Sequence, residues 1–160
     1  LLERGDEAMP QSCELLLMFA ARATHLDNLV RPAVARGGWV LCDRFTDATY
    51  AYQGGGRGLP VEQIDALVQI VHAGIQPDLT FLLDLPVEVG LARARHRNGA
   101  DGPDRFETEQ REFFVRVRSA YLERVRRDPA RFRVVDANAD MDDVTAAVCG
   151  SLGQLLEASR

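Results

Sequence analysis

Residues 43–58 contain the side chains that are best suited to chemistry in this chain. Asp43 and Arg44 follow directly after Trp39–Cys42, an apolar run that predicts a buried strand. Open α/β sheets bind ligands at the carboxyl ends of their strands. A carboxylate there could hold Mg²⁺ through water, because Mg²⁺ keeps several waters and takes few protein carboxylates. The planar guanidinium of Arg44 suits a phosphate, to which it can donate two parallel hydrogen bonds.

Two polar side chains farther along this segment, Thr49 and Gln53, have the hydroxyl and amide groups that can read the edge of a nucleobase. An acid at the end of a strand is as often a solvated side chain as a ligand. The presence of Arg44, Thr49 and Gln53 beside Asp43 favours the functional interpretation. We therefore predict a nucleotide site in this segment.

The glycines of Gly54–Gly58 do not match a known phosphate-binding loop. Such loops end in Lys-Ser or Lys-Thr before a helix. Here Leu59 and Pro60 follow, and all nineteen basic residues of the chain are Arg. A flexible turn is the better interpretation. The sequence thus suggests a nucleotide kinase but contains no phosphate cradle for the donor.

Arg22 is a further candidate, because it lies in a strongly apolar run that predicts a buried helix. An unpaired charge is costly in such a place, so Arg22 needs an acceptor. Met18 and Phe19 precede it by four and three residues and share its surface. Either could be ordinary core packing, and either could stack on a nucleobase that accepts a hydrogen bond from Arg22.

Four arginines near residues 98–104 form the last candidate feature. That segment contains two glycines and a proline, which predict a break in regular structure. Arginines on both sides of it could make a basic lid, over about residues 93–107, that closes on phosphates and excludes water. A solvated helix face is the alternative for such a charge run. The four are Arg93, Arg95, Arg97 and Arg105.

Composition limits the classes of protein that this chain can represent. Its 160 residues, 46% of them apolar, are enough for a substantial core, so we predict a single domain over residues 1–160. The formal net charge of −5 argues against a nucleic-acid polymer as partner. Because no run of about eighteen apolar residues is present, we expect a soluble, cytoplasmic protein without a membrane span.

Apolar periodicity predicts helices that alternate with short strands. Alternation of this kind indicates an α/β fold, with a parallel sheet and helices on both faces. The predicted strands are Trp39–Cys42, Leu79–Asp84 and Phe132–Asp136, and the predicted helices cover residues 13–36 (with a break at Pro32), 60–74, 86–97, 107–127 and 141–155.

Several stretches of the sequence together resemble the bacterial thymidylate kinase family. The similarity runs from Glu14 to the closing helix, and the combination is much more specific than any one stretch. The stretches are Leu15–Arg22, Arg31–Ala33, Cys42–Gly58 and Pro77–Thr80.

The resemblance implies the P-loop nucleoside-monophosphate kinase fold, with ATP and Mg²⁺ as co-substrates and dTMP as the phosphoryl acceptor. It also implies a homodimer that packs through the long helix of residues 13–36. The first strands of that fold and its P-loop have no counterpart in the sequence. We therefore expect the chain to correspond to the carboxyl-terminal three quarters of a thymidylate kinase.

The resemblance also implies roles for residues at matching positions. Arg44 would contact the dTMP phosphate and the transferring phosphoryl group, and Asp43 would lie near the magnesium. Tyr52 would lie against the sugar, where it would crowd a ribose 2′-hydroxyl. In some family members the lid supplies a catalytic arginine, and here Arg97 and Arg105 lie nearest to the predicted break.

For the base, the resemblance implies that Arg22, Thr49 and Gln53 read the thymine. The family stacks the base on an aromatic residue four positions before the arginine. Met18 occupies that position here, and Phe19 lies three before the arginine. The stacking residue is thus left open between these two.

Two other interpretations compete with a working thymidylate kinase. One is a catalytically inactive fragment that binds dTMP or dimerises but lacks the ATP site. The other is a different small kinase, such as one that acts on shikimate or adenylate, which would have different acceptor-site residues. Asp43 and Arg44 beside Thr49 and Gln53 count against both.

Overall fold

The computed structural model describes residues 9–98 and 107–158. The chain divides into two compact units, Leu1–Gln76 and Pro77–Arg160. The first unit is helical in its described part, and the second contains a small parallel sheet. No helix within the described ranges is long and apolar enough to cross a membrane. The single domain over residues 1–160 stays a prediction.

The long apolar run forms a nearly continuous helix, as predicted. It consists of α1 (Gln11–His25), a π-helical segment (Leu26–Val30) and α2 (Arg31–Ala35). Pro32 lies in the first turn of α2 and has no N–H to donate. The predicted break is therefore a change in helical pitch just before Pro32. Gly37, whose φ of 74° suits glycine, follows the end of the helix.

The run after this helix differs from the prediction. Trp39–Cys42 has no regular secondary structure, and Leu41 is 99% exposed. A strand is stable only when its N–H and C=O groups pair with those of a neighbour. The two strands of the described ranges pair only with each other, so no described strand pairs with Trp39–Cys42. The predicted strand over Trp39–Cys42 is therefore wrong for this structure.

The chain returns to helix after Phe45. α3 (Thr46–Thr49) continues into a second π-helical segment (Tyr50–Gly56), and α4 follows (Val61–His72). The helix predicted after Pro60 is confirmed. α4 ends at a left-handed Ala73, and the glycine that follows it also has a positive φ.

The core of the first unit joins α1 to α4. Leu15, Phe19 and Ile64 form its centre and are almost completely buried. Gly54 packs closely on α4, where an added Cβ would lie 3.3 Å from Cδ1 of Ile64. The flexible turn predicted over Gly54–Gly58 is therefore wrong in its first part, because close packing holds these glycines in the π-helical segment.

The second unit confirms the parallel α/β organisation in its coarse form. Its two strands run parallel, with Leu82 opposite Val134. The sheet of the described ranges has two strands, fewer than the three predicted, and the helices lie within a few residues of their predicted bounds. In chain order the elements are β1 (Thr80–Asp84), α5 (Val87–Asn98), α6 (Glu107–Arg127), β2 (Phe132–Asp136) and α7 (Met141–Ala158).

A bidentate ion pair links α6 to the end of β1. Arg118 donates from Nε and Nη2 to the two carboxylate oxygens of Asp84 at 2.7 and 2.8 Å. This geometry is the strong form of an arginine–carboxylate contact. The acid that ends β1 thus has a structural partner within its own unit.

Candidate nucleotide-binding site

The first unit brings predicted base-reading residues together between α1 and the helical segment that begins with α3. Nη2 of Arg22 donates a hydrogen bond of 3.0 Å to Oγ1 of Thr49, although the two residues are 27 positions apart. Gln53 lies one turn after Thr49, on the same face. Thr49 and Gln53 are both buried. The fold therefore supports the predicted grouping of these three side chains.

The guanidinium of Arg22 is partly buried against two aromatic rings. It lies 4.9 Å from the ring centroid of Phe19 and 5.6 Å from that of Phe45. Burial lowers the pKa of Arg22 from its ordinary value, although an arginine remains charged in proteins. Its Nη1 is buried and has no hydrogen-bond partner within the described residues. A buried donor in this state costs about 1–3 kcal/mol, so the site is ready for an acceptor.

Gln53 supplies the complementary group. Its Nε2 donates to Oε1 of Glu14 at 2.9 Å, and Oε2 of Glu14 pairs with Arg57 at 3.0 Å. The amide oxygen Oε1 of Gln53 is buried and has no donor among the residues that the structure describes. The candidate site thus holds one buried donor and one buried acceptor that have no hydrogen-bond partner within the described residues.

His72, at the end of α4, lies behind this site. Its Nε2 is 3.0 Å from Oγ1 of Thr46, and its ring stacks on those of Phe45 and Phe19, with centroids 4.9 and 5.9 Å apart. Burial, together with the nearby charges of Arg22 and Arg31, lowers the pKa of His72 to about 4. The ring is therefore neutral at physiological pH and holds Phe45 beside Arg22.

Arg44 and Tyr52, both predicted to contact the nucleotide, touch each other. Nη2 of Arg44 donates to the Tyr52 hydroxyl at 3.1 Å, and the guanidinium lies 4.9 Å from the ring centroid. Arg44 has a φ of 58°, a left-handed conformation that costs an L-residue about 1–2 kcal/mol. Strained residues of this kind cluster at functional sites. The side chain of Arg44 is exposed and free to meet an anion.

Asp43 is exposed beside Arg44. Within the described residues no group of three or more potential metal-ligating side chains is found. Mg²⁺ does not need such a group, because it is commonly held by one or two carboxylates, several waters and the phosphates of its substrate. An accessible carboxylate next to Arg44, which is predicted to bind phosphate, fits this requirement.

The two candidates for base stacking occupy different environments. Phe19 is 1% exposed and belongs to the core with Leu15 and Ile64. Met18 is only partly buried. Phe19 has little surface left for a ligand, whereas Met18 retains some.

Comparison with known proteins decides the family. The thymidylate kinase family model matches residues 1–148. The thymidylate kinase of Pseudomonas syringae pv. syringae (strain B728a) is 59% identical over the whole chain, which spans 75% of that relative. The thymidylate kinases of Pseudomonas savastanoi pv. phaseolicola (strain 1448A / Race 6) and Pseudomonas putida (strain W619) are 57% and 56% identical, again over the whole chain. The chain belongs to the thymidylate kinase family. The resemblance predicted from its motifs is confirmed.

The lid arginines that the family resemblance implies lie only partly within the described residues. Arg105 lies outside the described residues, as does the side chain of Arg97, whose backbone belongs to α5. Nη1 of Arg93 donates to the carbonyl oxygen of Ala137 at 2.9 Å. Arg93 therefore has a structural contact within its own unit, and Arg95 is exposed on α5.

Four residues of the site have no role in the sequence-based prediction. Phe45 and Thr46 lie inside the stretch that resembles thymidylate kinases, and Glu14 lies at the start of that similarity. The positions of these three residues within the similarity mark them as candidates. Their residue types do not show which side chains they contact. His72 has no local motif, because its partners come from α1 and α3.

Proposed function

We propose that the protein transfers a phosphoryl group from ATP to dTMP in the presence of Mg²⁺ and forms dTDP. Family membership gives the reaction class. The observation that carries the proposal for this chain is a pair of buried polar atoms without a hydrogen-bond partner in the described part of the chain, Nη1 of Arg22 and Oε1 of Gln53. A site built with such atoms binds the ligand that satisfies them and rejects analogues that do not.

Thymine satisfies both atoms. Its N3–H is a donor that lies between two carbonyl oxygens. The Gln53 oxygen can accept from N3–H while Arg22 donates to a carbonyl oxygen of the base. Thr49 keeps Arg22 in place through its hydroxyl. Met18 is the candidate for stacking on the base, because its surface is less buried than that of Phe19.

In this proposal, Arg44 binds the phosphate of dTMP. Phosphoryl transfer asks the protein mainly for positioning and for neutralisation of charge. Arg44 donates to phosphate oxygens, and Tyr52, which already contacts Arg44, lies along the sugar. Asp43 would hold Mg²⁺ through water, and the ion supplies charge neutralisation at the phosphates when bound. Arg97 and Arg105 remain proposed lid residues because of their positions beside residues 98–104.

No residue of this chain is proposed as the ATP phosphate cradle. The 160 residues contain no Lys and no Gly-rich loop that ends in Lys-Ser or Lys-Thr. A second candidate function, which the acceptor site supports by itself, is the binding of dTMP without catalysis of the transfer. The acceptor site described above belongs to the first unit in either case.

The test combines binding with turnover. Purified protein is titrated with dTMP, UMP and dAMP by calorimetry, and dTDP formation is followed with ATP and Mg²⁺. We expect preferential binding of dTMP and formation of dTDP. Binding of dTMP without dTDP formation would favour the second candidate. Binding of dAMP as tight as that of dTMP would contradict both.

We also propose that the protein forms a homodimer through the helix of residues 11–35. In support, Leu16, Leu29 and Val34 of this helix are all exposed. Covering these large apolar side chains with a second copy of the chain is favourable, because it removes apolar surface from water.

A further inference from the structure

The amide of Gln53 can present either of two chemically opposite ends to a ligand. Its oxygen accepts hydrogen bonds and its nitrogen donates them, while the two ends have nearly the same shape. Burial leaves Gln53 4% exposed, so water cannot compensate for a wrong orientation. Whatever fixes this amide therefore fixes which ligands the site accepts.

Glu14 provides that control. An ionised carboxylate only accepts hydrogen bonds, so the end of Gln53 that faces Glu14 must be the nitrogen. The observed bond, from Nε2 of Gln53 to Oε1 of Glu14 at 2.9 Å, has this sense. The amide oxygen is then the end that is left buried and without a partner among the described residues.

Glu14 is itself held from two sides. Nη2 of Arg57 lies 3.0 Å from its second carboxylate oxygen. Glu14 also lies in the first turn of α1, where the helix dipole favours a negative charge. Both contacts hold the carboxylate in place. The chain Arg57–Glu14–Gln53 thus runs from the surface to the buried acceptor.

We propose that Glu14, held by Arg57, is a positioning residue that makes the site select bases with an imide N–H, as in thymine and uracil, over cytosine. The inference rests on the proposed function. Cytosine presents an acceptor at N3 and an amino donor at C4. The Gln53 oxygen would then face an acceptor, and Arg22 would face a donor. Both mismatches follow from one orientation of Gln53.

The experiment compares the affinities for dTMP and dCMP in the intact protein. In Glu14→Gln the new amide can donate to the Gln53 oxygen, so Gln53 is free to turn. We expect the ratio of dTMP to dCMP affinity to fall by about 10-fold or more, since opposed groups in a buried site cost about 1–3 kcal/mol. Glu62→Gln, in the first turn of α4, is the matched control and should leave the ratio unchanged.

Arg57→Gln keeps the inference testable if Glu14→Gln fails to fold. Arg57 is exposed, and its loss should lower the same ratio in the same direction but by less. A merely structural role for Glu14 would lower the melting temperature and both affinities together, with the ratio unchanged, and that result would overturn the inference. A wild-type protein that does not prefer dTMP would instead overturn the proposed function.

Discussion

At the scale of single residues, the candidate site is marked by two buried atoms that have no hydrogen-bond partner where the structure describes the chain. Arg22 uses one nitrogen on Thr49 and leaves the other for a ligand. Gln53 uses its nitrogen on Glu14 and leaves its oxygen. Each side chain is thus oriented by a protein contact before the ligand arrives. Such preorganisation reduces the free-energy cost of binding.

Arg22→Ala removes the proposed hydrogen-bond donor to the base. We expect the Michaelis constant for dTMP to rise by about 10- to 100-fold, because a hydrogen bond to a charged group contributes about 1.5–3 kcal/mol. The constant for ATP should change little. Arg36→Ala, at an exposed position after α2, is the control. Steady-state kinetics with each substrate varied in turn makes the measurement, and an equal rise for both substrates would contradict a base-reading role.

Arg44→Ala tests the proposed contact of Arg44 with the phosphate of dTMP. A charge-stabilising donor at a reacting group is worth about 10²- to 10³-fold in turnover, so kcat should fall by that factor. The melting temperature should stay close to that of the wild type, because the side chain of Arg44 and its hydrogen bond to Tyr52 are exposed. Near-normal kcat in Arg44→Ala would refute the assignment.

At the scale of elements, α4 places a titratable group, His72, behind the candidate site. His72 has a pKa of about 4 in the fold, below its ordinary value of 6.5. Between these two values the unfolded chain binds the proton and the folded chain does not. The unfolding free energy must therefore fall as the pH falls from about 6.5 to 4, by on the order of 2 kcal/mol.

The variant His72→Gln checks this pH dependence. Glutamine can still bond to Thr46 but does not titrate, so the part of the slope that His72 causes should disappear between pH 6.5 and 4. His25→Gln, at an exposed position of α1, should keep it. Urea unfolding at a series of pH values gives the slopes. Equal slopes in the wild type and in His72→Gln would show that His72 does not cause the effect.

At the scale of the whole molecule, the long helix leaves apolar side chains exposed that a second copy could cover. Leu16→Glu places a charge on that surface, and because an unpaired charge is costly to bury, the substitution should convert a dimer to a monomer. Sedimentation velocity at micromolar concentration measures the change. Glu62→Gln on α4 should leave the mass as it is in the wild type. A monomeric wild type would contradict the proposed dimer.

The sequence by itself determined the features that depend on neighbours in the chain. Periodicity predicted the long helix and its break at Pro32, α4 to α7, and the two strands that form the sheet. The motif stretches identified the family and its candidate residues. These predictions succeeded because helix formation and amphipathic spacing are set within a few turns of chain.

Only the tertiary structure decided the features that depend on distant partners. Trp39–Cys42 has the composition of a strand but no neighbour in the described ranges with which to pair. Phe19 lies in the core and Met18 nearer the surface, because α4 packs on one side of α1. The contacts of Glu14 with Gln53 and of His72 with Phe45 join residues that lie far apart in the chain. Sequence spacing cannot specify such contacts, because they depend on how helices pack and on which buried groups then need a partner.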